Sequence, residues 1–96
     1  MPRGCPACVT VLEELVLEIR KMTTRKYLTP NIAKKLENEI QDAIAESKKA
    51  VPNAKLIVGK LNGAKTLIEG VDSASGLLND FAETTTTVQR YLRARP

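Results

Sequence analysis

Apolar side chains recur at steps of three and four along almost the whole chain, and no stretch sustains an alternation of apolar with polar residues. That period selects α-helix and leaves no segment for a strand. The KLIV run at 55 to 58 could pass for a strand in isolation, but it lies inside a helical pattern. The expected fold is all-α: an antiparallel helical bundle or an extended helical hairpin of about four helices. At 96 residues the chain can support one core, so residues 1–96 are expected to form a single helical domain.

The segment from Cys5 to Met22 places Val9, Leu12, Leu15, Val16, Ile19 and Met22 on one helical face. Val11 and Leu17 fall off that stripe, which suggests neighbours on more than one side. Glu13, Glu14 and Glu18 precede Arg20 and Lys21, an order that suits the helix macrodipole. Residues 23–29 break the pattern, and Thr29 with Pro30 restarts it as N-cap and first helical residue. The second helix carries Ile32, Leu36, Ile40, Ala43, Ile44 and Ser47 on one face. Val51 and Pro52 end it, and Asn53 caps a third helix with Ile57, Leu61, Ala64 and Ile68 in register.

Gly70 reads as the stop of the third helix, and Asp72 or Ser73 as the cap of a fourth. From Val71 a heptad-like seam runs through Ala74, Leu78, Phe81, Thr85, Val88 and Leu92. Its weak point is Thr84 to Thr87, consecutive β-branched residues of middling helix propensity. The alternative is one bent rod through Gly70, since an interior glycine costs a helix only about 1 kcal/mol.

Composition narrows the chemistry. His is absent, which removes the commonest general base and the commonest metal ligand, and no Ser-His-Asp or Cys-His constellation can be assembled. Glu13 and Glu14 diverge on their helix, and Glu14 with Glu18 reads as an exposed acidic edge. The glycines Gly59, Gly63, Gly70 and Gly76 are scattered and form no phosphate-binding loop. No enzyme activity, cofactor or small-molecule substrate is expected.

Cys5-Pro6-Ala7-Cys8 is the one chemically suggestive motif. A CxxC at a helix N-terminus favours a thiolate. A thioredoxin-type oxidoreductase needs a strand before it and a βαβ surround, neither of which this chain provides. Two thiolates without imidazole fall short of the four ligands of structural zinc, unless two copies share a site. The pair therefore stands as an inert couple, a local disulfide, or half of a shared metal site. The opening MPRG is not followed by an apolar signal-peptide segment, and no apolar run approaches a membrane span, so a reducing cytoplasm is the expected compartment.

Gly59 and Gly63 stand four apart beside Ala64, a spacing that lets another backbone approach, here by close packing within the domain. Lys48, Lys49, Lys55, Lys60 and Lys65 form a block without acid, residues 66–89 hold Glu69, Asp72, Asp80 and Glu83 without a base, and Arg90, Arg93 and Arg95 follow. Such blocks favour electrostatic matching between helices or subunits. A basic nucleic-acid binder is the other reading of the net charge of +4. Lys55, Lys60 and Lys65 each turn about 140° from the last, however, and wrap the helix rather than line one side.

The stretch from Lys60 to Thr84, KLNGAKTLIEGVDSASGLLNDFAET, resembles small helical adaptor segments of bacterial multidomain defence and signalling proteins, through Gly63, Ile68, Gly70, Ala74, Gly76 and Leu78. The resemblance implies adaptor-type protein association. The expected function is a non-enzymatic helical interaction or oligomerisation module, partnered by copies of itself or by a larger effector protein. The helix-packing and interface residues are expected to be Ile57, Gly59, Leu61, Gly63, Ala64, Ile68, Ala74, Leu78, Phe81, Val88 and Leu92. The alternatives are a thiol- or zinc-dependent regulator using Cys5 and Cys8, and a nucleic-acid binder using the lysine block.

Overall fold

A computed structural model of the chain describes residues 4–94. The helices are α1 (Pro6–Thr24), α2 (Pro30–Ser47), α3 (Ala54–Ile68) and α4 (Ser75–Arg93), with one 3₁₀ turn, Asp72–Ala74, before α4. No strand occurs among the described residues. The expected caps hold at two starts: the Thr29 hydroxyl accepts from the Ile32 N–H, and the Asn53 side chain accepts from the Leu56 N–H. At the other end of α1 the Tyr27 N–H donates to the Met22 carbonyl while Lys26 sits at φ 66°. This is a Schellman closure with lysine at the left-handed position that glycine usually takes.

Each helix packs against its two neighbours around a ring: α1 against α2 and α4, and α3 against α2 and α4. Two ties show the up-down-up-down order. The Cys5 N–H donates to the Ser47 carbonyl at 2.7 Å, joining the start of α1 to the end of α2. The Ser73 hydroxyl donates to the Tyr27 carbonyl at 2.9 Å, joining the α1–α2 and α3–α4 connections at the opposite end. A continuous rod over 54–93 would be about 60 Å long. The molecule measures 42 × 18 × 17 Å, so α3 and α4 form a hairpin and the single-rod alternative is discarded.

Leu12, Leu15, Val16 and Ile19 of α1, Leu36, Ile40, Ala43 and Ile44 of α2, and Ile57, Leu61, Ala64 and Ile68 of α3 share one buried core. Phe81 lies in the same cluster with no exposed surface. The expected seam holds at Ala74, just before α4, and at Phe81 and Val88 within it, and changes at one position. Leu77 is buried, whereas Leu78 is half-buried at the core margin, as are Val71 and Leu92. Neither Asp72 nor Ser73 caps α4, which starts at Ser75 after the 3₁₀ turn, with Ala74 before it. Leu77, Phe81 and Val88 then fall within about 40° of one another at 100° per residue. The threonine run does not end α4. The hydroxyls of Thr85 and Thr86 donate back to the carbonyls of Phe81 and Ala82, which satisfies them inside the helix.

Candidate functional site

Three features compete as functional sites. The first is the N-terminal cysteine pair. Cys5 and Cys8 are joined by a disulfide, with Cα atoms 5.2 Å apart. Both are buried, and Cys5 Sγ also accepts from the Cys8 N–H at the start of α1. Gly4, at φ 68°, lies flat on the end of α2: a Cβ there would meet the Ser47 carbonyl oxygen and sit 2.7 Å from the Lys49 carbonyl oxygen. The pair is thus built into the seam between α1 and α2. In this oxidised form neither sulfur is a thiolate available to a metal.

The second feature is a groove of about 460 Å³ between α3 and α4, lined by Ala54, Lys55, Val58, Gly59, Asn62, Gln89, Leu92 and Arg93. Its floor is apolar, from Val58 and Leu92, and Lys55 and Arg93 place cations at its edges. Gly59 forms part of the wall, and a Cβ built there would meet nothing within 4 Å. The expectation that Gly59 and Gly63 mark a close backbone approach inside the domain is therefore corrected. Both are exposed, and the nearest neighbour to a Cβ at Gly63 is the Glu39 carboxylate, at 3.7 Å. Ala64, one residue on, faces the core instead.

Third, α1 and α4 bring Glu14, Glu18, Asp80 and Glu83 to one shallow cleft, beside Val11, Leu15, Thr84 and Thr87. No cation pairs with any of the four among the described residues. Asp80 titrates above the usual carboxylate range, mainly because it is partly desolvated and further because Glu18 and Glu83 repel its charge. Sequence reasoning reads Glu14 with Glu18 as an exposed acidic edge and Asp80 with Glu83 as part of an acidic block, and does not bring the two together. The missing information was adjacency: once α1 and α4 are neighbours, the Glu14/Glu18 step and the Asp80/Glu83 step face each other.

Two lysines of the block are engaged by acids of α2. Lys60 reaches α2, with its ammonium 3.2 Å from Asp42 and 3.9 Å from Glu39, and this pairing holds its proton above the usual lysine range. Lys49 pairs with Glu46 at 2.9 Å. The Glu46 carboxylate, covered by the α2–α3 connection, also accepts from the Asn53 N–H; the Lys49 bond first, and this one second, hold it below the usual carboxylate range. Glu46 was missed because a lone glutamate at a helix end carries no signal of burial. Lys48 and Lys55 are exposed and Lys65 is half-buried. Of the basic block, Lys49 and Lys60 are thus matched by acids of α2, and of the acidic block Asp80 and Glu83 turn toward α1.

The chain matches no family model, no curated protein and no solved structure. Among the described residues no group of three or more His, Cys, Asp or Glu is arranged to hold a metal ion, and no helix is long and apolar enough to cross a membrane. The Arg95 end of the basic tail lies outside the described residues.

Proposed function

We propose that the protein is a non-enzymatic helical association module that joins copies of itself or docks on a partner protein through its helix faces. The observation that carries this reading is the α3/α4 groove. It remains open after the four helices have closed their core, its floor is apolar, and its edges carry Lys55 and Arg93. A groove between two helices with an apolar floor accepts the apolar face of a third. The cationic edges select a helix flanked by acids. The resemblance of residues 60–84 to helical adaptor segments supports the same reading, since this stretch supplies part of α3 and the first half of α4.

The test is a titration of labelled protein with a synthetic amphipathic helix of leucine and glutamate, monitored by amide chemical shifts, beside a leucine–lysine helix of the same pattern. The acidic helix is expected to shift Val58, Asn62, Gln89 and Leu92, to weaken with salt, and to be excluded by Gly59→Leu, which fills the groove without entering the core. Equal binding of the basic helix, or no shift at these residues, would contradict the assignment.

A second reading, as a thiol-responsive regulator, is favoured by one observation: the Cys5–Cys8 bond sits where the start of α1 docks on the end of α2. On this reading, reduction would loosen that end of the bundle and alter association. If the mass distribution in solution is the same with and without reductant, this reading falls and the first is untouched.

A further inference from the structure

The outward face of α1 consists of Thr10, Glu13, Glu14, Leu17, Arg20, Lys21 and Thr24, all exposed. Leu17 stands at its centre with 56% of its surface in water, an unusual place for a leucine on a helix that otherwise buries its large aliphatic side chains. The residues around it form an antisymmetric pattern. Three and four positions before Leu17 stand Glu14 and Glu13, and three and four positions after it stand Arg20 and Lys21. The outermost pair, Thr10 and Thr24, is identical.

In two antiparallel copies of α1 crossing at Leu17, every residue meets its counterpart at the same distance on the other side of the crossing. Leu17 meets Leu17, Glu13 meets Lys21, Glu14 meets Arg20, and Thr10 meets Thr24. A two-fold axis therefore turns one helix face into its own complement, which is the condition for an isologous dimer. Glu13, Glu14 and Lys21 enter no ion pair among the described residues, and Arg20 makes one exposed contact with Glu37, at 3.2 Å. The adjacent α1/α4 cleft is short of cations, and Arg20 of a second copy would arrive at its Glu14 edge.

We infer that the exposed face of α1 is a self-association surface whose partner is a second copy of this chain, packed antiparallel about Leu17. The inference rests on the reading of the protein as an association module and names the face and the partner. The surface is distinct from the α3/α4 groove. A single helix pair lies at the small end of specific interfaces, so a weak dimer is expected, one that loosens as salt screens the paired charges.

The test exploits the symmetry. Glu13→Lys and Lys21→Glu are made separately; each places like charges opposite one another twice in a homodimer, and both sites are exposed, so melting curves should match the wild type. Sedimentation from about 10 to about 500 µM is expected to show wild-type association and at least tenfold weaker association of either variant alone. An equimolar mixture of the two should regain wild-type association, because a face carrying Glu13→Lys and a face carrying Lys21→Glu set opposite charges against each other along their whole length. Leu17→Gln should weaken association without rescue in either mixture. If both variants associate as the wild type does, or if the mixture is no tighter than its components, the α1 surface is wrong. A wild type that stays monomeric throughout also overturns it, whereas the groove's response to the acidic helix is read independently and decides the broader reading.

Discussion

Gly4 and Gly59 show how the same residue type can be required at one place and dispensable at another. Gly4 has a left-handed backbone and no room for a Cβ against the end of α2, so Gly4→Ala is expected to destabilise by about 1 to 3 kcal/mol. Gly59 is helical and faces open space, so Gly59→Ala should stabilise by about 0.5 to 1 kcal/mol through the helix propensity gained. Thermal melts of the two variants check both signs, and destabilisation by Gly59→Ala would restore an internal packing role for that residue. Asp80 supplies a pH prediction. Its folded value lies above its unfolded value, so its charge costs stability at neutral pH, and the cost disappears as pH falls through the folded value and below the unfolded one. Asp80→Asn should therefore raise the melting temperature at pH 7, with the gap to wild type closing near about pH 3. A gap that persists in acid would assign the effect to something other than charge. Glu46 runs in the opposite sense: its lowered value contributes stability above the unfolded value, and this is lost as pH falls through the folded one.

At the scale of the element, the helices were legible wherever local chemistry decides them. Thr29-Pro30 and Asn53 start α2 and α3 through bonds within three residues, and the Ile57, Leu61, Ala64 and Ile68 stripe needs only the helical period. The start of α4 was not legible, because the 3₁₀ turn at Asp72–Ala74 is stabilised from outside, by the Ser73 bond to Tyr27 in another connection. Within α4 the helical period set by Phe81 and Val88 puts Leu77 in the core and leaves Leu78 at its margin. Leu77→Ala should accordingly cost about 2 to 5 kcal/mol, the usual range for truncating a fully buried leucine, and Leu78→Ala distinctly less. Chemical denaturation of the pair checks this, and the reverse order would put Leu78 in the core in place of Leu77. The carboxylate cleft escaped for the same reason as the turn: no local pattern reports that α1 and α4 are neighbours.

For the whole molecule, the ring of four helices has two cross-ties at opposite ends, and the Cys5–Cys8 bond lies beside one of them. Closing so short a loop is worth about 2 kcal/mol in chain entropy. Reduction should shift the denaturation midpoint downward by that order, and an unchanged midpoint would show that the bond contributes nothing to the fold. Several aliphatic side chains stay outside the core, Val51, Leu56 and Leu67 among them; Leu17 stands alone in this on α1, and Val58 and Leu92 are half-buried in the floor between α3 and α4. Leu17 and this floor both suit another helix, as the proposed association requires. The measurement that tests it most directly is sedimentation equilibrium of the oxidised protein across concentration, run beside the acidic-helix titration. The expected result is a mass that climbs from 10.5 kDa toward twice that value, together with salt-sensitive peptide binding at the groove. A constant 10.5 kDa species with no peptide binding would contradict it.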